Sequence, residues 1–355
     1  MNITPFAKES IQRWKQDMQI DVIKKEGKII GFYNYDKDIY PHDIKGIEGI
    51  TNIVPEFDLL AGYYQDILHR HFQFRYFGTL CDYMKSHGYE SKEHLFGLPY
   101  DPRLILDPLY RLHYFQTMKE TIEESIHKNK THQKPIVVAH SLGGVLLKWF
   151  LTDYVSETWI DQHIQKIYIL NSPFGGTSMA LRVILSGEYY VPMFHQEFKD
   201  PLQKMSGIIM CLPNEHAYHP SEALVKIDEL ERVLRVADFE NDGNIAFEIW
   251  RDLYKPHLET ILKPLRLNIP CDIVIGTNKE TIQKFKIRKE GELPYYSKFE
   301  FGDGQVPKRS LDIAKKIFIG QNVECHEIID SNHIDIISHP IFIDKITEDC
   351  LPKTI

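Results

Sequence analysis

The apolar positions of this chain fall into short runs separated by stretches of a different period. Runs at 50–54, 94–98, 136–140, 167–170, 272–275 and 323–329 are too short for buried helices and predict buried strands. Between 110 and 130 the pattern changes. Phe115, Met118, Ile122 and Ile126 recur at spacings of three and four, which marks one buried face of a helix. The segment 77–87 has the same character and runs into Gly88, a residue suited to a left-handed helix end. Strands alternating with helices predict an α/β fold, a mainly parallel sheet with helices on both faces.

The alternation is interrupted between the strands ending near 170 and starting near 272. This stretch is punctuated by Pro192, Pro201, Pro213, Pro220, Pro264 and Pro270 and carries amphipathic pieces such as 224–236. It reads as an inserted cap that binds substrate and shields a site from water. The expected organisation is a core built from 1–177 and 272–355, with a cap over 178–271.

Composition narrows the partners. The chain has 355 residues, 43% of them hydrophobic, enough for a large core. Its 42 Lys and Arg against 50 Asp and Glu give a net charge of -8, which argues against electrostatic capture of nucleic acid or an anionic lipid surface. A transient apolar contact with lipid stays open. Cys81, Cys211, Cys271, Cys325 and Cys350 form no C-x-x-C pair and are expected as reduced, mostly buried thiols. The N-terminus shows no apolar leader, and no run of about 18 apolar residues occurs, so a cytoplasmic location is expected. His69 with His71 and His216 with His219 imitate metal pairs but lack further ligands, and no phosphate loop is present; neither a metal nor a cofactor is expected.

The chemistry centres on Ser141. In P-I-V-V-A-H-S-L-G-G-V-L-L-K-W-F, residues 135–150, an apolar strand runs into the serine and an apolar helix leaves it. Such a strand-to-helix elbow strains the backbone and needs small neighbours, here Ala139 and Gly143. The hydroxyl would stand above the sheet edge, and the Leu142 N–H at the helix start would face developing oxyanion charge. Ser86 has the same spacing to Gly88 but no strand before it, so its match is incidental.

Hydrolases with this elbow place an acid and then a histidine later in the chain. Asp303 lies in the glycine-flanked turn E-F-G-D-G-Q-V-P, and His333 follows the last expected strand in I-I-D-S-N-H-I-D. His333 would take the Ser141 proton and return it to the leaving group, while Asp303 fixes the imidazole tautomer. Asp330 and Asp335 are fallback acids. The structural alternatives are a helix-start serine, a turn aspartate like Asp242, and one ordinary histidine among 17.

Taken together, these segments resemble the lecithin:cholesterol acyltransferase family, which includes lysosomal phospholipase A and phospholipid:diacylglycerol acyltransferases. The likeness is carried by H-G-Y at 87–89, L-P-Y-D-P-R at 98–103, A-H-S-L-G at 139–143 and N-S-P-F-G-G-T at 171–177. It continues through L-R-V-I-L-S-G at 181–187, G-D-G-Q-V-P at 302–307 and N-H-I-D-I-I at 332–337. The resemblance implies an α/β-hydrolase fold and acyl transfer from a glycerolipid ester through an acyl-Ser141 intermediate, to water or a lipid alcohol. Pro102 stands where the family's P-Y-D-W-R motif has tryptophan.

Family members begin with an apolar strand, a Pro-Gly loop giving the second oxyanion donor and a disulfide-bearing lipid-anchoring segment; this chain is expected to start too late to contain them. The run 50–54 is therefore expected to replace the lost strand, with the backbone of Glu56 or Phe57 as second donor. Two other readings compete: a degenerate, non-catalytic lipid-binding protein, and a hydrolase of small esters.

Overall fold

A computed structural model describes residues 20–34, 76–188 and 195–350. The run 50–54 and residues Glu56, Phe57, His69 and His71 lie outside the described residues. The strands are β1 (Ile20–Lys25), β2 (Lys28–Asn34), β3 (Ile136–His140), β4 (Lys166–Leu170), β5 (Val225–Ile227), β6 (Arg232–Leu234), β7 (Leu265–Arg266), β8 (Cys271–Thr277), β9 (Lys279–Ile287), β10 (Tyr296–Gly302), β11 (Phe318–Ile319) and β12 (Val323–Ile329). The helices that frame the site are α1 (Gly78–Ser86), α2 (Pro108–Lys128), α3 (Leu142–Trp149), α4 (Ser178–Ser186) and α5 (Pro340–Cys350).

Four of the expected strands form one parallel sheet in the order β12-β8-β4-β3. The pairing Ala139 to Ile169, Ile169 to Ile273 and Ile273 to Cys325 sets a common register, so the carboxyl ends of the strands align along one edge. Strand period explains why the run 167–170 is apolar throughout, whereas β12 at the sheet edge, expected as a buried strand, carries Glu324, His326 and Glu327 and is mostly exposed. On β4, Ile167 and Ile169 enter a cluster with Phe115, Val145 and Trp149, while Tyr168 and Leu170 enter another with Leu80, Met84, Phe342 and Ile346. Helices α2 and α3 thus cover one face, and α1 and α5 the other. Every residue of β8 is buried, as expected for a strand with neighbours on both sides and helices above and below.

Helix boundaries follow local chemistry. Asp107 accepts from Leu109 N at 3.0 Å and Tyr110 N at 3.1 Å, capping α2, and Pro108 sits at its first position. Gly88 ends α1 with φ +88°.

The run 94–98 does not form a strand. The Glu90 carbonyl accepts from His94 N at 2.9 Å and Leu95 N at 3.0 Å, rolling the chain into turns. Gly97 and Pro99 flank the remaining apolar residues and disfavour a ladder.

The stretch after β4 contributes α4, further short helices and the pair β5 and β6. These two strands join β9 and β10 in a second sheet of order β10-β9-β5-β6. Strand β9, beyond the expected boundary at 271, is therefore hydrogen-bonded to a strand from within the insertion, and β10 pairs with β9. The β1–β2 hairpin turns at Glu26 and Gly27, both at positive φ, and docks through Ile29 N to Asp252 Oδ2 at 2.8 Å and Phe32 N to Asp107 Oδ2 at 2.9 Å.

All five cysteines are free. Cys81 and Cys271 are buried, but Cys211 and Cys350 are half-buried and Cys325 is exposed, so fewer are buried than the sequence reading expects. Among the described residues no helix is long and apolar enough to cross a membrane.

One side chain in α3 is costly. Lys148 is fully buried, donating to Thr152 Oγ1 at 2.7 Å and the Lys263 carbonyl at 2.8 Å. Burial lowers its pKa to about 7 from 10.5. The folded state then binds fewer protons than the unfolded chain between these values, so stability from this group rises with pH across that window. Below about 7 the penalty of charging the buried amine is fully present. Lys148→Met is expected to stabilise the fold by roughly 1–3 kcal/mol at pH 6, a gain that shrinks toward pH 10. Urea unfolding at the two pH values checks this, and a pH-independent difference contradicts it.

Candidate active site

Ser141 occupies the turn between β3 and α3 with φ +54° and ψ −130°, a conformation that non-glycine residues rarely adopt. Its N–H still donates to the Leu170 carbonyl at 2.9 Å, so the sheet holds the chain up to the bend. Helix α3 begins at once with Leu142, whose N–H has no intrahelical acceptor and points from the helix start.

The close approach required by this bend falls at a glycine other than the expected one. A Cβ on Gly143 would meet no described atom within 4 Å, whereas a Cβ on Gly144 would lie 1.9 Å from Ser172 Oγ. Gly144 is where α3 crosses the end of β4, and a side chain there would push the helix off the sheet.

The structure brings Ser141, His333 and Asp303 together. His333 Nε2 lies 2.8 Å from Ser141 Oγ, and its Nδ1 lies 2.7 Å from Asp303 Oδ2. A carboxylate only accepts, so Nδ1 carries the proton and the neutral ring accepts the Ser141 hydroxyl at Nε2. Asp303 is fully buried, and its other oxygen accepts from Gln305 N at 2.9 Å and Val306 N at 2.7 Å. These bonds fix its direction. Asp330 instead binds Asn278 Nδ2 at 2.7 Å and Asp335 binds Asn332, so the fallback acids are engaged elsewhere.

The turns carrying these groups are braced from several strands. Thr177 Oγ1 donates to the Gln305 carbonyl, and Gly304 N donates to Thr281 Oγ1 at 2.9 Å, holding the Asp303 turn. Asn171, at φ +43°, accepts from Gly276 N at 2.7 Å and donates to the His333 carbonyl at 3.2 Å. His140, the last residue of β3, reaches the same carbonyl with Nε2 at 2.7 Å, while its Nδ1 meets the Tyr76 hydroxyl. Burial, together with the neighbouring His333, pushes the His140 pKa well below the usual imidazole range. Neither His140 nor Asn171 is singled out by the sequence reading. Their signal is a polar residue closing an otherwise apolar strand run.

The insertion reaches the elbow through two motifs. Arg103 pairs with Asp101 at 2.7 Å in a buried setting, and the Pro102 and Arg103 carbonyls accept from Gly207 N at 2.7 Å and Ser206 Oγ at 2.7 Å. A Cβ on Gly207 would sit 3.2 Å from Leu142 Cδ2, which places this turn beside the nucleophile helix. Gly176, at φ +76°, has the Leu212 carbonyl oxygen 2.0 Å from where its Cβ would be, and Gly175 N donates to Ser310 Oγ at 3.0 Å.

Away from this edge, Asp272, Glu324 and His326 have potential ligand atoms within 4.8 Å of one another. Lys166 Nζ at 3.0 Å and Lys345 Nζ at 3.5 Å from Asp272 Oδ2 supply the positive charge, which makes the group an ion-pair network.

The lecithin:cholesterol acyltransferase family profile matches residues 63–243, just over half of the 355 residues. The chain belongs to this family. It is 25% identical over 277 residues to phosphatidylcholine-sterol acyltransferase of Gallus gallus, covering 74% of this chain and 63% of that protein. It is 25% identical over 276 residues to lysosomal phospholipase A and acyltransferase of Homo sapiens, covering 74% and 64%. The chain thus spans under two thirds of the length of these two relatives. Lecithin-cholesterol acyltransferase-like 1 of Arabidopsis thaliana is 24% identical over 334 residues, covering 88% and 73%.

Among solved structures, the Tle4–Tli4 complex overlays with TM-score 0.44 at 11% identity, covering 96% of this chain and 80% of that one. The monoacylglycerol lipase of Paleococcus ferrophilus overlays with TM-score 0.30 at 13% identity, covering 66% and 74%. With the family membership, the parallel sheet and the strained serine after β3 identify this lecithin:cholesterol acyltransferase family member as an α/β-hydrolase.

The unequal crowding of the two elbow glycines gives a stability prediction. Gly144→Ala is expected to destabilise the protein by about 1–3 kcal/mol through overpacking against Ser172. Gly143→Ala, on a helix and with no described atom within 4 Å of its Cβ, is expected to be neutral or stabilising by up to about 1 kcal/mol. Denaturant midpoints of the two variants check this; equal midpoints would contradict it.

Proposed function

We propose that this protein is a serine-dependent acyl-ester hydrolase or O-acyltransferase acting on a phospholipid-like ester. The observation that carries the reading is the continuous hydrogen-bonded line from Ser141 Oγ through His333 to buried Asp303, with the serine at a strained turn. In this reading Ser141 Oγ attacks the ester carbonyl as His333 Nε2 takes its proton. The Leu142 N–H stabilises the tetrahedral oxyanion, and the Glu56 or Phe57 backbone is assigned the second donor role. Collapse expels the alcohol, which takes the proton from His333 and leaves acyl-Ser141. Water or a lipid alcohol, deprotonated by His333, then accepts the acyl group and restores the serine.

A lipid-like donor is supported by the relatives' printed activities and by the inserted stretch 178–271, read here as the cap. The exposed Phe299 and Phe301 of β10, just before Asp303, support transient apolar contact with a lipid surface.

The test measures hydrolysis of p-nitrophenyl esters of increasing acyl length, with and without phosphatidylcholine vesicles, beside Ser141→Ala and Asp303→Asn. The wild type is expected to be active, with Ser141→Ala down by at least about a thousandfold and Asp303→Asn by roughly 10⁴ in kcat. Activity that survives in Ser141→Ala removes the serine mechanism. Rates that fall steeply beyond short chains remove the lipid substrate.

A further inference from the structure

We infer that His140 is a positioning residue for this reaction: it grips the peptide carbonyl of His333 and thereby aims the imidazole at Ser141. The inference rests on the proposed serine mechanism and assigns a role to a residue outside the triad.

A histidine is out of place at the end of the buried run I-V-V-A-H unless both ring nitrogens are matched. Both are. Nε2 faces the His333 carbonyl at 2.7 Å. Since a carbonyl only accepts, Nε2 carries the proton, and the neutral ring must accept the Tyr76 hydroxyl at Nδ1. The carbonyl sets the tautomer, and Tyr76 reinforces it by donating to the nitrogen that is left without a proton.

The charge state matters as well as the bond. The His140 and His333 rings lie 4.9 Å apart, so a charged His140 would oppose the imidazolium that forms when His333 takes the serine proton. Held neutral between Tyr76 and a carbonyl, with Phe77 packed near its ring, His140 adds direction without adding charge. The base is thus fixed at two places: Asp303 holds Nδ1, while His140 from β3 and Asn171, just after β4, hold the backbone. What remains free is Nε2, 2.8 Å from Ser141 Oγ.

The test uses the full chain with three variants, following p-nitrophenyl ester kinetics, fluorophosphonate labelling of Ser141 and thermal unfolding. His140→Leu removes the donor, His140→Gln keeps an N–H able to reach the carbonyl, and Tyr76→Phe leaves the ring but removes the bond that reinforces its tautomer. His140→Leu is expected to lower kcat by roughly ten- to a hundredfold with KM nearly unchanged, because small displacements of a reacting group carry losses of this size. His140→Gln should recover most of that loss, and Tyr76→Phe should fall between. A folded His140→Leu with wild-type kcat, or equal losses in the Leu and Gln variants, overturns the role. Should His140→Leu fail to fold, Tyr76→Phe decides, and wild-type kcat in that variant overturns it. If the wild-type chain neither labels nor hydrolyses, the serine mechanism itself is lost; full activity matched by His140→Leu removes the positioning role alone.

Discussion

The structure depends on one constraint: the chain must reverse from strand to helix at Ser141 without losing its place in the sheet. The residue is held at φ +54° because its neighbours leave no alternative. Its N–H remains bonded to the Leu170 carbonyl, and Gly144 lets α3 settle directly on the end of β4. A serine in a relaxed loop would cost less, but its hydroxyl would not be directed. The strain, of order 1–3 kcal/mol for such a residue, is offset by the packing of α3, whose apolar residues are nearly all buried.

From that fixed point the rest of the site is a problem of register. Ser141, Asp303 and His333 are far apart in sequence; Ser141 and His333 meet because β3 and β12 end along one edge of a parallel sheet, and β10 of the second sheet delivers Asp303 to the same edge. Each loop beyond that edge is short of partners and finds them in its neighbours. Asn171 joins the ends of β4 and β8 to the His333 loop, and Thr177 joins the segment after β4 to the Asp303 turn. A shift of a central strand by one residue would exchange the side chains that enter the two core clusters, so the core that sets register also sets the hydrogen-bonded line at the site.

How much of this was legible in the sequence follows from the range of each cause. The runs 136–140 and 323–329 appear as strands with those bounds, although 323–329, an edge strand, is mostly exposed rather than buried; the continuous apolar signal of burial on both faces belongs to 272–275 within β8. Ser141, Asp303 and His333 were legible because an elbow and two turn motifs occur in a fixed chain order. Local pattern failed where contacts decide. The run 94–98 is apolar, yet Gly97 and Pro99 turn it away from a ladder. Strand β9 escaped notice because a bulge interrupts its alternation, with register shifting at Lys298/Phe299 on its partner β10. The β1–β2 hairpin carries a readable sign, Glu26-Gly27 between apolar runs, that lies outside the expected elements. The close approach falls at Gly144 rather than Gly143 because the crowding comes from Ser172, which sequence spacing does not place.

Polar residues inside the core follow the same logic with opposite consequences. Lys148, His140 and Asn171 are all buried, and each satisfies its donors on carbonyls or hydroxyls. Lys148 carries a charge that burial disfavours, and its bonds end on a surface-proximal carbonyl and Thr152, so it weakens the fold at low pH. His140 is neutral and Asn171 uncharged, and both end on the carbonyl of His333. A neutral donor gives direction with little desolvation cost, which suits the backbone behind a base that must gain and lose a charge. The buried polar groups nearest Ser141 are thus those whose charge does not change when His333 becomes charged.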